Sequence, residues 1–135
     1  MSSPTVDPAL LEEPFPLQAL LGIELVAWQD GAATCRLPLR AEHSNRAGKP
    51  HGGIYTTLLD VALGYAGIWT GDPATRRFAI TLSLTTNFVA TPSDDVLIAE
   101  ACRVGGGRST YFAEGAVRDG LGTLCATACG TFRLR

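Results

Sequence analysis

Between Pro50 and Gly71 the chain has one carboxylate and no lysine or arginine. That carboxylate is Asp60, in the middle of His51-Gly-Gly-Ile-Tyr-Thr-Thr-Leu-Leu-Asp60-Val-Ala-Leu-Gly-Tyr-Ala-Gly67. The run is long and apolar enough for a helix of about four turns, starting near Gly53. At about 100° per residue, Gly53, Thr56, Thr57, Asp60, Gly64 and Gly67 fall on one side, while Leu58, Ala62, Tyr65 and Trp69 fall on the other. Tyr65 and Trp69 are therefore expected in the core. Asp60 is expected to be buried, which is costly for a carboxylate. Each helix glycine costs roughly 1 kcal/mol relative to alanine, and close approach of a ligand or a second helix would account for Gly64 and Gly67 beside the acid.

The front of this helix presents unpaired backbone N–H groups with partial positive charge, and Gly52 and Gly53 leave them accessible to an oxygen that gains negative charge. Gly52 and Asp60 are eight residues apart, about 12 Å along a helix axis, too far to act on one carbonyl. If both serve one reaction, they come from two copies of the chain. Antiparallel helices in a symmetric dimer would bring them together in two equivalent sites.

The 135 residues suffice for one domain with a core. A formal net charge of −2, with no basic run, argues against nucleic acid as a partner. No signal peptide or membrane span is read near the N-terminus, so a cytoplasmic protein is expected. Cys35, Cys102, Cys125 and Cys129 are expected to be small buried hydrophobes. Cys125 and Cys129 would share one side of a strand, about 13 Å apart and beyond disulfide reach. With His43 and His51 as the only histidines and neither at a ligand spacing to a cysteine, no metal and no cofactor are expected.

Residues 1–14, with Pro4, Pro8 and Pro14, read as an irregular lead-in to a single domain over 15–135. A short helix ends at Gly22, and a hairpin of strands turns at Gln29-Asp30-Gly31. Residues 40–50 form a polar loop before the central helix, which stops at Thr70-Gly71-Asp72-Pro73. Arg76 and Arg77 are expected to face solvent. Phe78, Ile80, Leu82 and Leu84 then alternate with Ala79, Thr81, Ser83 and Thr85 as a strand. Further strands span 95–104, 109–118 and 123–133, with glycine-rich turns between them. The order implies an α+β fold: an antiparallel sheet wrapped around one long central helix, its other face wet unless a second dimer covers it.

On Asn45, His51-Gly52-Gly53 and Asp60, the chain resembles the hotdog-fold acyl-CoA thioesterases, in particular the phenylacetyl-CoA thioesterase-like branch that includes the 4-hydroxybenzoyl-CoA type. Members carry Asn or Gln six residues before that histidine and Asp or Glu nine after it, and both spacings match. The resemblance spans residues 15–134. It implies a hotdog fold and hydrolysis of an acyl-CoA to free acid and CoA, with Asp60 as general base or nucleophile. It also implies that the Gly52 amide of the other protomer polarises the thioester carbonyl, that Asn45 positions water or the acid, and that His51 orients the thioester or the loop. Gly53, Thr57 and Gly64 would line the substrate site. The family often has Ser or Thr where this chain has Gly64, a departure that would widen the acyl pocket. Coenzyme A would lie along the turn Gly105-Gly106-Gly107-Arg108-Ser109, with Gly106, Gly107 and Ser109 meeting phosphate or pantetheine and Arg108 pairing with phosphate. The partners implied are acyl-CoA and a second copy in a homodimer, with a homotetramer as a dimer of dimers also open.

No Gly-x-Ser-x-Gly elbow is present, which removes a serine hydrolase. Two alternatives remain: an acyl-thioester hydratase or dehydratase on the same scaffold, and a non-catalytic acyl-CoA binding module. Binding alone gives no reason to bury a carboxylate, which favours hydrolysis.

Overall fold

A computed structural model describes residues 10–135, so most of the expected lead-in, residues 1–9, lies outside the described residues. Two helices, α1 (Pro16–Leu21) and α2 (Gly52–Ala66), accompany six strands: β1 (Glu24–Gln29), β2 (Ala32–Pro38), β3 (Ala79–Phe88), β4 (Val96–Gly106), β5 (Thr110–Asp119) and β6 (Leu124–Leu134). The strands form one antiparallel sheet in the order β1-β2-β4-β5-β6-β3. The sheet wraps α2, which touches every strand.

Small side chains make that wrapping possible. Ala33, Ala99, Ala101, Ala113, Ala126 and Ala128 pave the inner face, so Leu58, Leu59 and Leu63 of α2 reach complete burial against Leu37, Leu97 and Val117. The side of α2 expected in the core is there. Tyr65 donates to Gln18 Oε1 at 2.9 Å, and its carbonyl accepts from Trp28 Nε1 at 2.8 Å. Trp28 also meets Trp69 edge to face.

The opposite stripe is less buried than expected. Asp60 is half-buried, because the sheet curls round α2 without closing over this side. Gly67 caps α2, and a side chain there would run into the ring of Tyr111. Its smallness thus serves packing within the chain and not the approach of a ligand.

Strand β3 corrects the simple alternation. It is an edge strand with a register shift between Thr81 and Ser83. Phe78, Ile80 and Leu82 are exposed, while Leu84 packs on the core. Two cysteine expectations also change. Cys102 and Cys129 are exposed on the outer sheet face, flanking Glu114 across β4, β5 and β6. Cys125 is buried, so it does not share a side with Cys129; the ladder slips where Val117 pairs with Ala126 and Arg118 with Leu124. Of the arginine pair, Arg76 is exposed and faces Glu12 at 3.7 Å, whereas Arg77 is half-buried. Among the described residues no helix is long and apolar enough to cross a membrane.

Candidate active site

The start of α2 is built by two histidines. His51 is its N-cap, with extended backbone (φ −64°, ψ 142°) and an Nδ1 that accepts from Gly53 N at 2.8 Å. Its own amide donates to the His43 carbonyl at 2.8 Å. His43 is buried; its Nδ1 accepts from Arg40 N at 3.0 Å, so Nε2 carries the proton and donates to Leu21 O at 2.8 Å. The loop entering α2 is thereby fixed at both ends. Gly53 spends its amide on His51, whereas the Gly52 N–H has no partner among the described residues.

Asn45 lines one open pocket with His51, together with Ser44, Arg46 and Ala47. Its Oδ1 accepts from Ala47 N at 2.8 Å and Lys49 N at 3.2 Å, closing a turn. Its side-chain NH2 meets no acceptor among the described residues, so one residue makes the turn and presents a donor beside His51.

Asp60 stands two turns along α2 from this pocket. Thr81 Oγ1 donates to its Oδ1 at 2.7 Å, which leaves Oδ2 available. Asp60, Thr81 and Gly64 line a cleft of about 340 Å³ that also touches Phe15, Phe78 and Phe132. Thr57 is half-buried on the same side of α2. Beneath them the Tyr111 hydroxyl donates to the Gly64 carbonyl at 2.9 Å and the Leu63 carbonyl at 3.0 Å. Burial, and secondarily the charge of Asp60, push the Tyr111 phenol well above its ordinary range, which keeps it a donor.

The glycine turn joins β4 to β5. Gly106 has φ +138°, and a side chain there would collide with Thr110 and Tyr111. Gly107 N donates to Thr110 O at 2.8 Å, and Ser109 O accepts from Leu134 N at 2.8 Å. Arg108 is exposed and has no ion pair among the described residues. Across the ladder Thr81 pairs with Phe132, Phe132 with Tyr111 and Tyr111 with Gly106. Three strand spacings, about 14 Å, thus separate this turn from Asp60's partner.

One chain therefore joins Asn45, His51 and Gly52 at the helix start, and Asp60, Gly64 and Thr81 farther along. It does not join the two groups. Thr81 was not foreseen, since alternation assigns it only to the face opposite Ile80, and nothing else in the sequence around it, a hydroxyl between Ile80 and Leu82, points to Asp60. Among the described residues no cluster of His, Cys, Asp or Glu could hold a metal ion.

The model of the thioesterase superfamily matches residues 47–126, more than half of the chain. A Pseudomonas aeruginosa protein with the provisional name of an esterase is 33% identical over 121 residues, covering 88% of each chain. A conserved protein of Pseudomonas aeruginosa superposes with a TM-score of 0.81 at 30% identity, covering 94% of this chain and 97% of that one. A Bacillus halodurans protein solved with CoA superposes with a TM-score of 0.65 at 29% identity, over 75% of this chain and 70% of that one. The helix start at Gly52, the acid at Asp60, β3, β4, β5 and the first residues of β6 all lie inside the matched span, and the chain belongs to the thioesterase superfamily, with the hotdog fold.

Proposed function

We propose that the protein hydrolyses acyl-CoA thioesters to a free acid and CoA, in a symmetric dimer whose two sites each combine Asp60 of one protomer with Gly52 of the partner subunit. One observation carries the proposal: edge strand β3 runs antiparallel alongside α2. Thr81 meets Asp60 at 2.7 Å, and the Phe88 ring lies about 3.5 Å from where a Gly52 Cβ would sit. Phe78, Ile80, Leu82, Phe88 and Val89 leave this edge apolar and exposed, an unprotected template for a second strand. Pairing β3 with its own copy about a twofold axis between Leu84 and Thr85 sets Thr81 opposite Phe88 of the partner subunit. Asp60 then faces Gly52 of the partner subunit.

In that site the partner's Gly52 N–H donates to the thioester oxygen as it gains charge. As general base, Asp60 takes a proton from water while the water oxygen bonds to the carbonyl carbon. The tetrahedral intermediate expels the CoA sulfur, which leaves as the thiol after taking up that proton. As nucleophile, a carboxylate oxygen bonds to the carbonyl carbon and the C–S bond breaks, so that CoA leaves as thiolate and takes a proton from water; a second water then cleaves the mixed anhydride to the free acid and the Asp60 carboxylate. The NH2 of Asn45 and the ring of His51 hold water or the thioester at the pocket they share. Arg108 pairs with a phosphate of CoA, with Gly106, Gly107 and Ser109 shaping the turn that receives it. The CoA bound to the Bacillus halodurans relative supports this ligand class.

Thiol release from a panel of acyl-CoA esters tests the proposal. Turnover well above the uncatalysed rate is expected with at least one ester, and its absence with all of them would overturn the hydrolase. Thr81 holds Oδ1 so that Oδ2 faces the reaction. Thr81→Val is expected to lower kcat about tenfold with little change in KM, and Thr81→Ser to restore most of it. Equal losses in the valine and serine variants would remove the hydroxyl from the mechanism.

A further inference from the structure

Resting on that hydrolase reading, we infer that His43 is a positioning residue for the reaction: its buried ring ties the start of α2 to the end of α1, so that the unspent Gly52 N–H keeps a fixed aim. His43 is 1% exposed and does not reach a substrate itself. It nevertheless joins three parts of the chain. Its ring bonds the last residue of α1 and the first residues of the loop after β2, and its carbonyl bonds the residue that caps α2.

These bonds run in series from the body of α2 back to its first turn. Gln18 is buried; its Oε1 accepts from the Tyr65 hydroxyl at 2.9 Å and its Nε2 donates to Ile23 O at 3.1 Å, which ties α1 to the far half of α2. The end of α1 leaves carbonyls without helical partners. Leu21 O accepts from His43 Nε2 at 2.8 Å, and Leu20 O accepts from Arg40 Nη2 at 2.8 Å. Both backbone groups of Arg40 are held in turn by His43, whose N–H donates to Arg40 O at 3.0 Å and whose Nδ1 accepts from Arg40 N at 3.0 Å. The Arg40–Leu20 bond is exposed to water whereas the His43 ring is buried, so the histidine carries the anchorage.

The consequence falls on Gly52. His51 N–H donates to His43 O at 2.8 Å, which fixes the peptide plane before His51, and Gly53 N–H donates to His51 Nδ1 at 2.8 Å, which fixes the plane after Gly52. The Gly52 N–H belongs to the plane between these two, and it has no partner among the described residues. A donor that is unspent yet held on both sides suits an oxyanion, because it costs no reorganisation as charge develops. His43 supplies one of the two restraints through its carbonyl, and its ring sets where that carbonyl stands. Loss of the ring should therefore lower rate and leave affinity alone.

The test measures kcat and KM with one hydrolysed acyl-CoA for His43→Asn and His43→Gln, each alone and combined with Gly52→Pro, which removes the N–H that His43 aims. His43→Asn keeps an acceptor for Arg40 N but does not reach Leu21 O, whereas His43→Gln keeps a donor that does. His43→Asn is expected to lower kcat about tenfold with KM within twofold, and to speed hydrogen exchange of the His51 amide about tenfold. His43→Gln should restore kcat to within about threefold of wild type. In Gly52→Pro, whose residual turnover is read at high enzyme concentration, His43→Asn should lower kcat by less than about twofold further, since no N–H is left to aim. A change in KM without one in kcat, the same loss with and without the Gly52 N–H, or unfolding of both His43 variants by circular dichroism would overturn this inference and leave the hydrolase standing. No turnover by wild type with any ester would overturn both.

Discussion

Asp60→Ala is expected to lower kcat at least a thousandfold for every hydrolysed acyl-CoA, while helix content and dimerisation persist. The general base contributes about 10² to 10⁴ in rate, and a lost nucleophile at least as much. The structural cost is small because Asp60 is half-buried and, among the described residues, its one side-chain partner is Thr81, at 2.7 Å. Removing the carboxylate leaves one threonine hydroxyl to rebond with water, on the order of 1 kcal/mol or less at such a site. Asp60→Asn is the sharper variant. It keeps the shape and an oxygen able to accept from Thr81, yet it has neither a basic nor a nucleophilic carboxylate, so turnover should fall almost as far. Circular dichroism and sedimentation alongside thiol release separate chemistry from folding. Turnover within threefold of wild type in both variants would remove Asp60 from the mechanism.

Much of this was legible in the sequence because a few residues have few alternatives. An acid alone in a long apolar run, with glycines at its head and Gly71-Asp72-Pro73 beyond its end, fixed α2 and placed Asp60 on its less buried side. Gly105-Gly106-Gly107 and Asp119-Gly120-Leu121-Gly122 marked the turns that make β4, β5 and β6 antiparallel. Alternation gave the period of β3 but not its surroundings. An apolar stripe facing a core and one facing open space read alike, so Phe78, Ile80 and Leu82 carried no sign that they are exposed. Register shifts leave no mark in composition either. The one after Thr81 belongs to the strand segment that bonds Asp60, and the one near Cys125 buries that thiol while Cys129 is exposed. Asp60 was expected to be buried because hydropathy counts neighbours in sequence, whereas its burial is set by how far a curled sheet closes over the helix. Asn45 shows the same limit at one side chain, since its spacing to His51 does not reveal that its oxygen is taken by Ala47 and Lys49.

Gly52→Pro tests whether each site is shared between chains. Proline deletes the N–H assigned to the oxyanion, and this position tolerates the ring well. Gly52 is the first residue of α2, where proline is favoured, and His51 already has ψ 142°, the extended conformation a following proline demands. A Cβ there would meet Phe88 at 3.5 Å, an ordinary contact. The loss should therefore be catalytic, about 10² to 10³ in kcat for one oxyanion donor. Asp60→Ala and Gly52→Pro are each expected to be nearly inactive as pure proteins. Unfolded together and refolded, they form mixed dimers in which one site carries both defects and the other carries neither. If chains reassort at random, half the dimers are mixed and each has one intact site of two, so about a quarter of wild-type activity returns. A mixture as inactive as its components, with mixed dimers demonstrated by a mass tag, would place Asp60 and the oxyanion donor in the same chain. Recovery near a quarter would assign them to different chains, the arrangement proposed from the eight-residue separation along α2 and the antiparallel course of β3.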